Sequence, residues 1–147
     1  MIFNFRTAVR MTISVAIAGF LFSTYASAQS TKVLYELQER CGKRAEELFR
    51  REYGPGDSKY GMLFNYENHY SARLEKCFFL EIAVSQDKGK LTATKDMRLF
   101  DLNENKEYGL YMDGICDGCG PVSCKVQGKV CRSESEWRQL LKPFMED

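Results

Sequence analysis

The sequence predicts an α+β domain, in which an antiparallel sheet of about four to five strands is packed by an N-terminal and a C-terminal helix and stapled by disulfides. Three observations predict it. Helical periodicity occurs near the two ends of the mature chain, strand patterns follow one another between them without an intervening helix, and the chain has six cysteines. The amphipathic helices each need an apolar surface to cover, and the sheet is the largest one available.

The first 28 residues have the order of a secretory signal peptide. Arg6 and Arg10 precede the uncharged segment 12–22, and the small residues 26–28 (Ala-Ser-Ala) form a cleavage site before Gln29. A membrane anchor is the alternative, but the apolar segment is shorter than the about 20 residues that a spanning helix needs. Because position 29 is not a cysteine, lipid-modified export is disfavoured. We therefore expect residues 1–28 to be cleaved and residues 29–147 to form a single domain.

The charge balance and the cysteines limit the classes of function and the compartment that the sequence predicts. The whole chain has 21 lysines and arginines and 20 aspartates and glutamates, and the first 28 residues contain two arginines and no acid, so the mature net charge is −1. This balance gives no basis for binding nucleic acid or an anionic membrane. All six cysteines lie in the mature part, and export with an even cysteine count predicts an oxidising compartment and disulfides.

Residues 31–53 are predicted to form the first helix. Its apolar positions recur every three or four residues, with Cys41 in the middle of the stripe and therefore directed at the core. Ser30 or Thr31 is the expected N-cap, and Gly54 with Pro55 ends the helix. The apolar stripe consists of Leu34, Leu37, Cys41, Ala45 and Leu48.

The strands are predicted from alternation and turn residues. After a loop at 53–61, strands are expected at 62–66, 74–84, 91–102 and 107–112, with turns at 86–90 and 103–106. The 74–84 strand has apolar residues on both faces near Phe78 and Phe79, which indicates a central strand.

The C-terminal region has two local signals. Gln127 and Gly128 form a two-residue turn that pairs 126 with 129, 125 with 130 and 124 with 131. Ser133 and Glu136 then match a capping box, and the helix that follows carries Trp137, Leu140 and Leu141 on one side. Pro143 is expected to end this helix, and Phe144 to pack beneath it.

The cysteine pairing is predicted only in part. Cys41 on the first helix and Cys77 in the central strand meet if that helix packs on that face, and the bridge would stabilise the fold by roughly 3–4 kcal/mol. Two buried free thiols are the alternative. The hairpin favours Cys124 with Cys131, which leaves Cys116 to pair with Cys119. The nested pairing of 116 with 131 and 119 with 124 stays open.

The CDGCG segment at 116–120 raises two sharper hypotheses. A redox Cys-x-x-Cys needs a helix N-terminus to stabilise its thiolate, but Cys119 is followed by Gly-Pro-Val-Ser and a hairpin. Zinc would use Cys116, Cys119, Cys124 and Cys131 as thiolate ligands, although an oxidising compartment favours disulfides. Neither is our preferred interpretation, and we expect no metal and no cofactor.

Two other patterns are weaker. Asp101, Asn103 and Asn105 match the start of a calcium loop, but Lys106 replaces the required glycine, and an Asx-rich hairpin turn explains them better. His69 is the only histidine, and in a strand it would share a face with Glu67. No catalytic residue is assigned.

An aromatic-rich set in and beside the strands is a possible binding surface, because such rings suit partner recognition. Core packing is the alternative that we favour. The set consists of Tyr66, His69, Tyr70, Tyr108 and Tyr111.

Several stretches resemble a family of small, uncharacterised exported bacterial proteins. They are YENHY (66–70) with KCF (76–78), NENKEYG (103–109), and the C-terminal pattern CKVQGKVC followed by EW and KPFME. The resemblance implies an α+β protein of the bacterial envelope, with paired cysteines at Cys41 with Cys77 and Cys124 with Cys131. It brings no catalytic residue with it, and the Cys116–Cys119 pair is an addition in this chain.

The sequence thus predicts a non-catalytic binding or interaction module of the bacterial periplasm or the cell exterior. Its partner would be an envelope protein or a cell-surface component, and no integral membrane segment would remain after signal cleavage. The alternatives are a thiol–disulfide redox protein that uses Cys116 and Cys119, and a zinc-binding protein that uses the four C-terminal cysteines.

Overall fold

The computed structural model describes the backbone at residues 8–54, 58–59, 61–86, 93–114, 118 and 120–146, and the side chains from Thr31 onward within these ranges except at 58–59. The chain divides into two compact units, Met1–Glu36 and Leu37–Asp147. The elements in chain order are α1 (Ala8–Tyr53), β1 (Ser58–Lys59), β2 (Met62–Ser71), β3 (Lys76–Gln86), β4 (Ala93–Asp101), β5 (Lys106–Met112), β6 (Ser123–Val126), β7 (Lys129–Val130) and α2 (Glu134–Met145).

The seven strands form one antiparallel sheet in chain order, from β1 at one edge to β7 at the other. This confirms the predicted α+β class. Five strands have four or more residues, in agreement with the expected four to five, and the two additional strands have two residues each.

The first helix ends where the sequence predicts and begins elsewhere. Its last residue is Tyr53, and Gly54 takes a left-handed φ of 81° while its N–H donates to the Arg50 carbonyl at 2.9 Å. The predicted start at residue 31 was wrong, because the helix begins at Ala8. The segment 8–30 is rich in alanine and has no proline, so nothing in it stops a helix before Thr31.

β2 is longer than predicted, and β3 is shifted by two residues toward the C-terminus. β2 continues past Tyr66 to Ser71, and the chain then turns at residues 72–75, where Glu75 has a φ of 53°. Leu74 therefore lies in the turn and not in β3. The full length of β2 was not predicted, because this strand lies near the sheet edge and many of its residues are polar. Residues 87–92, which include most of the expected 86–90 turn, lie outside the described residues.

The two helices cover opposite faces of the sheet. On the α2 face, a buried core gathers around Trp137, whose ring packs on Tyr111 with a centroid distance of 6.0 Å. On the α1 face, Phe49 packs on Tyr66, and Tyr66 stacks on Phe79. Phe78 and Phe79 are both buried on opposite faces of β3, which confirms that it is a central strand. The buried residues of the α2 face are Phe78, Leu80, Met97, Leu99, Tyr111, Cys124, Val126, Cys131, Trp137 and Leu141.

The C-terminal hairpin has the predicted register, with Lys125 opposite Val130 and residue 126 opposite 129. Gln127 and Gly128 both have positive φ, as a type I′ turn requires. Ser133 caps α2 by accepting from the Glu136 N–H at 3.2 Å, whereas the Glu136 carboxylate accepts from the N–H of residue 132.

The prediction that Pro143 ends the second helix was wrong, because α2 continues to Met145. The proline lies in the last turn, so only one intrahelical donor is lost there. The Glu146 N–H closes the helix by donating to the Lys142 carbonyl at 2.9 Å. Phe144 packs beneath the helix against Phe78, as expected, with a centroid distance of 5.4 Å.

Two disulfides join the pairs that the sequence favoured. The Cα atoms of Cys41 and Cys77 are 5.4 Å apart, and those of Cys124 and Cys131 are 5.0 Å apart. The second bridge excludes the nested pairing in this structure, because both of its cysteines are already joined to each other. The expected pairing of residues 116 and 119 lies outside the described residues.

Candidate functional site

The α2 face contains a half-open cleft between α2 and the strands β2 and β3. Its volume is about 230 Å³. Leu80 and Leu141 form a buried apolar floor that is continuous with the core, and Met145 contributes a half-buried wall. The charged and polar rim consists of Glu67, Arg138, Gln139, Lys142 and Glu146.

Two elements position the rim. Glu67 lies directly opposite Leu80 in the β2–β3 register, so both side chains are on the α2 face. Arg138 and Lys142 are four residues apart on α2 and therefore lie on the same side of the helix as Leu141. The capping interactions of Ser133 fix the start of this helix, and Trp137 anchors it by donating its indole N–H to the Lys125 carbonyl at 3.2 Å.

The rim carries both signs of charge in loose ion pairs. Arg138 is 3.6 Å from Glu67, and Lys142 is 3.7 Å from Glu146. These side chains are largely exposed, so the pairs contribute little to stability and can exchange for charges on a ligand. The rim is therefore able to bind either sign of charge.

Two shorter ion pairs of Glu134 hold the start of α2 beside the cleft. Glu134 accepts from Lys95 at 2.9 Å and from Arg138 at 3.0 Å. Burial alone would raise the pKa of the Glu134 carboxyl, but the hydrogen bonds from the two cations outweigh it and hold the pKa below its usual value. Glu134 thus remains ionised and links β4 to α2.

The size of the cleft limits what it can bind. Small-molecule sites usually enclose about 300–1,000 Å³, and this cleft is smaller. An apolar cavity of about 150 Å³ already accepts benzene. The cleft therefore has room for one aromatic or branched aliphatic side chain, with the polar part of its owner lying on the charged rim.

The aromatic set predicted as a binding surface is divided between the two faces. The β2–β3 register places Tyr66 and Tyr70 on the α1 face with residues 81 and 77, and His69 on the α2 face with Phe78. Tyr66 is half-buried and packs between Phe49 and residue 79, with centroid distances of 4.8 and 5.3 Å. His69 shares its face with residue 67, as the spacing predicted.

The two remaining tyrosines of that set belong to the α2 face and pack in or against the core. Tyr111 is 5% exposed and packs on Trp137, and its hydroxyl donates to Asp113 at 3.3 Å. Tyr108 is half-buried between Phe78 and Phe144, with centroid distances of 5.2 and 5.5 Å. The structure thus does not bring the five residues together on one surface.

Sequence reasoning missed the residues that line the cleft. The four-residue spacing of Arg138 and Lys142 does not distinguish a binding site, because charged side chains at this spacing are common on surface helices. Glu67 completes the rim from β2, and only the packing of α2 against β2 and β3 brings these side chains together.

The segment that matches the start of a calcium loop has a structural role. The buried Asp101 carboxylate accepts from the Asn103 N–H at 2.8 Å and pairs with Lys76, while residue 105 adopts a φ of 51°. This is the Asx-rich hairpin turn that the sequence favoured. Across the part of the chain that the structure describes, no group of His, Cys, Asp or Glu side chains is arranged to hold a metal ion.

Comparison with known proteins identified no relative. No protein-family model matches the sequence, and neither a curated protein nor a solved structure matches the chain. Within the described residues, no helix has an apolar stretch long enough to cross a membrane.

Proposed function

We propose that the protein is an exported, non-catalytic binding module of the bacterial envelope, and that the cleft between α2 and β2–β3 receives an apolar side chain of a partner protein. One observation carries this proposal. The cleft combines a buried apolar floor with an exposed rim of both charges, and its volume of about 230 Å³ suits one side chain. A central apolar pocket within a polar rim is the usual arrangement of a protein-binding hot spot.

Several observations support export. Two disulfides in a small domain are typical of proteins from oxidising compartments. The first 28 residues have the order of a signal peptide. We propose the periplasm or the cell exterior as the location, with residues 1–28 removed.

The site is already formed in the folded protein, which supports binding. The cleft floor belongs to the core around Trp137, and the helix that forms its other wall has a capped N-terminus. A site that is already formed loses little conformational entropy when its partner docks. The cleft therefore needs no rearrangement to accept a side chain.

Photo-crosslinking in living cells tests the proposal. A photoreactive phenylalanine replaces Lys142 at the rim, and the matched control replaces Lys43, which is an exposed lysine on α1. We expect a defined adduct with an envelope protein from position 142 and none from position 43. Adducts from both positions, or from neither, would contradict a specific cleft.

A blocking variant makes this test sharper. Gln139→Trp puts a large side chain into the cleft, whereas Gln38→Trp puts the same side chain on exposed α1 surface. We expect Gln139→Trp to abolish the adduct and Gln38→Trp to leave it unchanged. An adduct that persists in both variants means that the partner does not occupy the cleft.

The thiol-based alternatives are separated by intact mass. Three disulfides place the mass of the isolated protein six hydrogens below that of the reduced chain and leave no thiol to alkylate. A readily reduced pair at 116 and 119 would favour a redox protein. Stoichiometric zinc, with four thiols that react after chelation, would favour a metal-binding protein.

A further inference from the structure

The outer edge of β2 has a long stretch without a described strand beside it. β1 pairs only with Met62 and Leu63, at the beginning of β2. From residue 64 to 71, no strand in the described ranges lies on this side, although β3 pairs with all of β2 on the other side. Such an edge presents backbone donors and acceptors in the pattern that another strand requires.

Two contacts show which backbone groups point outward. Lys59 and Met62 close the β1–β2 hairpin across two residues, so Met62 exchanges hydrogen bonds with the outer side. The Tyr66 N–H donates to the Asn65 side chain at 2.8 Å and is therefore directed away from β3. Because the direction alternates along a strand, the backbone groups of Asn68 and Tyr70 also point outward.

The described edge of β2 carries few of the features with which proteins usually prevent strand association. Residues 64–71 include no lysine, arginine or proline, and their register with β3 continues without a bulge. Glu67 is the only carboxylate among them, and the Asn65 amide protects a single N–H. Tyr66 packs between Phe49 and Phe79, so its side chain turns to the α1 face and does not cover the edge. An edge of this kind is a pairing site.

Self-pairing in an antiparallel arrangement restricts the possible registers. Outward-directed residues of one strand must meet outward-directed residues of the other, so even-numbered residues lie opposite even-numbered residues. The longest overlap within residues 64–71 occurs when the two-fold axis passes through Glu67 or through Asn68. An axis at Glu67 sets two carboxylates directly opposite each other, which is destabilising.

An axis at Asn68 gives complementary neighbours. Glu67 then lies opposite the partner's His69, and Tyr66 lies opposite the partner's Tyr70, which forms an aromatic pair on the α1 face. We propose that the protein forms a two-fold dimer in which β2 pairs with β2 of a second copy, centred on Asn68, and the two sheets become one. This dimer does not rest on the proposed function, although Glu67 belongs both to its interface and to the rim of the cleft.

A proline substitution tests the dimer by removing one outward donor. Asn68→Pro deletes an N–H that takes no part in the β2–β3 ladder, whereas Asn68→Ala changes the side chain and keeps the N–H. In sedimentation velocity of the purified disulfide-bonded protein, we expect a concentration-dependent dimer for the natural sequence and for Asn68→Ala. The proline weakens both bonds of the central pair, so the dissociation constant rises by about 10- to 100-fold.

Cysteine crosslinking tests the register, in case Asn68→Pro disturbs the fold. Asn68→Cys places two thiols at the axis, where the Cα atoms of a hydrogen-bonded pair are about 5.5 Å apart. Glu67→Cys is the matched control, because it reaches the axis only in the competing register. We expect mild oxidation to give a covalent dimer with Asn68→Cys and not with Glu67→Cys, while mass analysis confirms the native disulfides.

Three outcomes would overturn the proposal. If the unmutated protein stays monomeric at all concentrations, the dimer is excluded. The same result is expected if the β2 edge binds a strand of another protein and not a second copy. A dimer that Asn68→Pro does not weaken uses another surface. A covalent dimer formed by Glu67→Cys in place of Asn68→Cys excludes the register.

Discussion

On one face of the sheet, α1 is joined to β3 by the Cys41–Cys77 disulfide and by aromatic packing, whereas on the other face α2 is held by the burial of Trp137 and Leu141. The buried residues of α1 are small, since Cys41 and Ala45 are its only buried side chains within the described part of the helix. Phe49 and its aromatic neighbours are only half-buried.

This difference coincides with the position of the longer disulfide loop, since the shorter Cys124–Cys131 bridge lies on the α2 face. The α2 face buries an indole, two phenylalanine-sized rings and several aliphatic side chains, so hydrophobic burial can hold that helix. The α1 face buries less apolar surface, and there the disulfide closes the longer of the two described loops, with a sequence separation of 36. In small domains, disulfides compensate for a limited core in this way.

The largest expected effect comes from removing the anchor of the α2 face. Trp137→Ala leaves a cavity over Gly109, where the indole lies 3.5 Å from the position that a Cβ would take, and it leaves the Lys125 carbonyl without its donor. We expect the free energy of unfolding to fall by about 3–5 kcal/mol in urea titration. Gln139→Ala, at an exposed position on the cleft rim of the same helix, should change it by less than about 0.5 kcal/mol. If Trp137→Ala lowered the free energy of unfolding as little as Gln139→Ala, the contribution of α2 to the core would be small.

Removal of the Cys41–Cys77 disulfide on the α1 face is expected to cause the next largest loss of stability. The double variant Cys41→Ala with Cys77→Ala opens a loop of sequence separation 36, and the chain-entropy model gives a loss of about 3–4 kcal/mol. The matched control removes the Cys124–Cys131 bridge, whose separation of 7 predicts a loss of about 2–3 kcal/mol. Thermal unfolding followed by circular dichroism measures both. A larger loss from the shorter loop would show that strain or residual structure dominates over loop entropy.

The sequence predicted the parts of this comparison that depend on neighbouring residues. The Gln127-Gly128 hairpin, the Ser133 cap and the helix end at Tyr53 all arise from short-range rules of backbone geometry, and the structure confirms them. The Cys124–Cys131 disulfide followed from the hairpin register, whereas the Cys41–Cys77 disulfide also required α1 to pack on the face of β3 that carries Cys77.

The cleft and the β2 edge could not be predicted in the same way. Whether a tyrosine is in the core depends on strand register, which places Tyr111 in the core and Tyr66 on the other face. The cleft exists because α2 packs at a particular position across β2 and β3, so Glu67 meets Arg138 only in the folded protein. Periodicity gives the side of an element and not its position relative to another element.

A smaller effect is expected from the cap that begins α2. Ser133→Ala removes the acceptor for the Glu136 N–H, so the free energy of unfolding should fall by about 1 kcal/mol. Ser133→Asp keeps a capping acceptor and should restore most of this stability. Urea titration of the two variants measures the contribution of helix capping to the α2 face without changing a buried residue. A loss of the same size in both would show that the lost stability does not come from the capping hydrogen bond.

The smallest expected effect is the response of the two faces to acid. On the α2 side, the pKa of Glu134 is lowered because the hydrogen bonds from Lys95 and Arg138 outweigh the effect of burial. A carboxyl whose folded pKa lies below its unfolded value stabilises the protein at neutral pH, and this contribution disappears as the pH falls from about 4.5 through the folded pKa. On α1, the pKa of Glu39 is also lowered, by its hydrogen bond from Lys43.

These two carboxylates differ in what their partners connect. Lys95 is in β4, so protonation of Glu134 weakens the contact between α2 and the sheet, whereas Glu39 and its exposed partner Lys43 belong to the same helix. We expect Glu134→Gln to flatten the dependence of urea stability on pH below about 4.5, and Glu39→Gln to change it less, because exposed pairs contribute little. An equal flattening by Glu39→Gln would contradict the assignment of acid sensitivity to the α2 face. The covalent link on the α1 face does not titrate in this range, so acid should loosen α2 before α1.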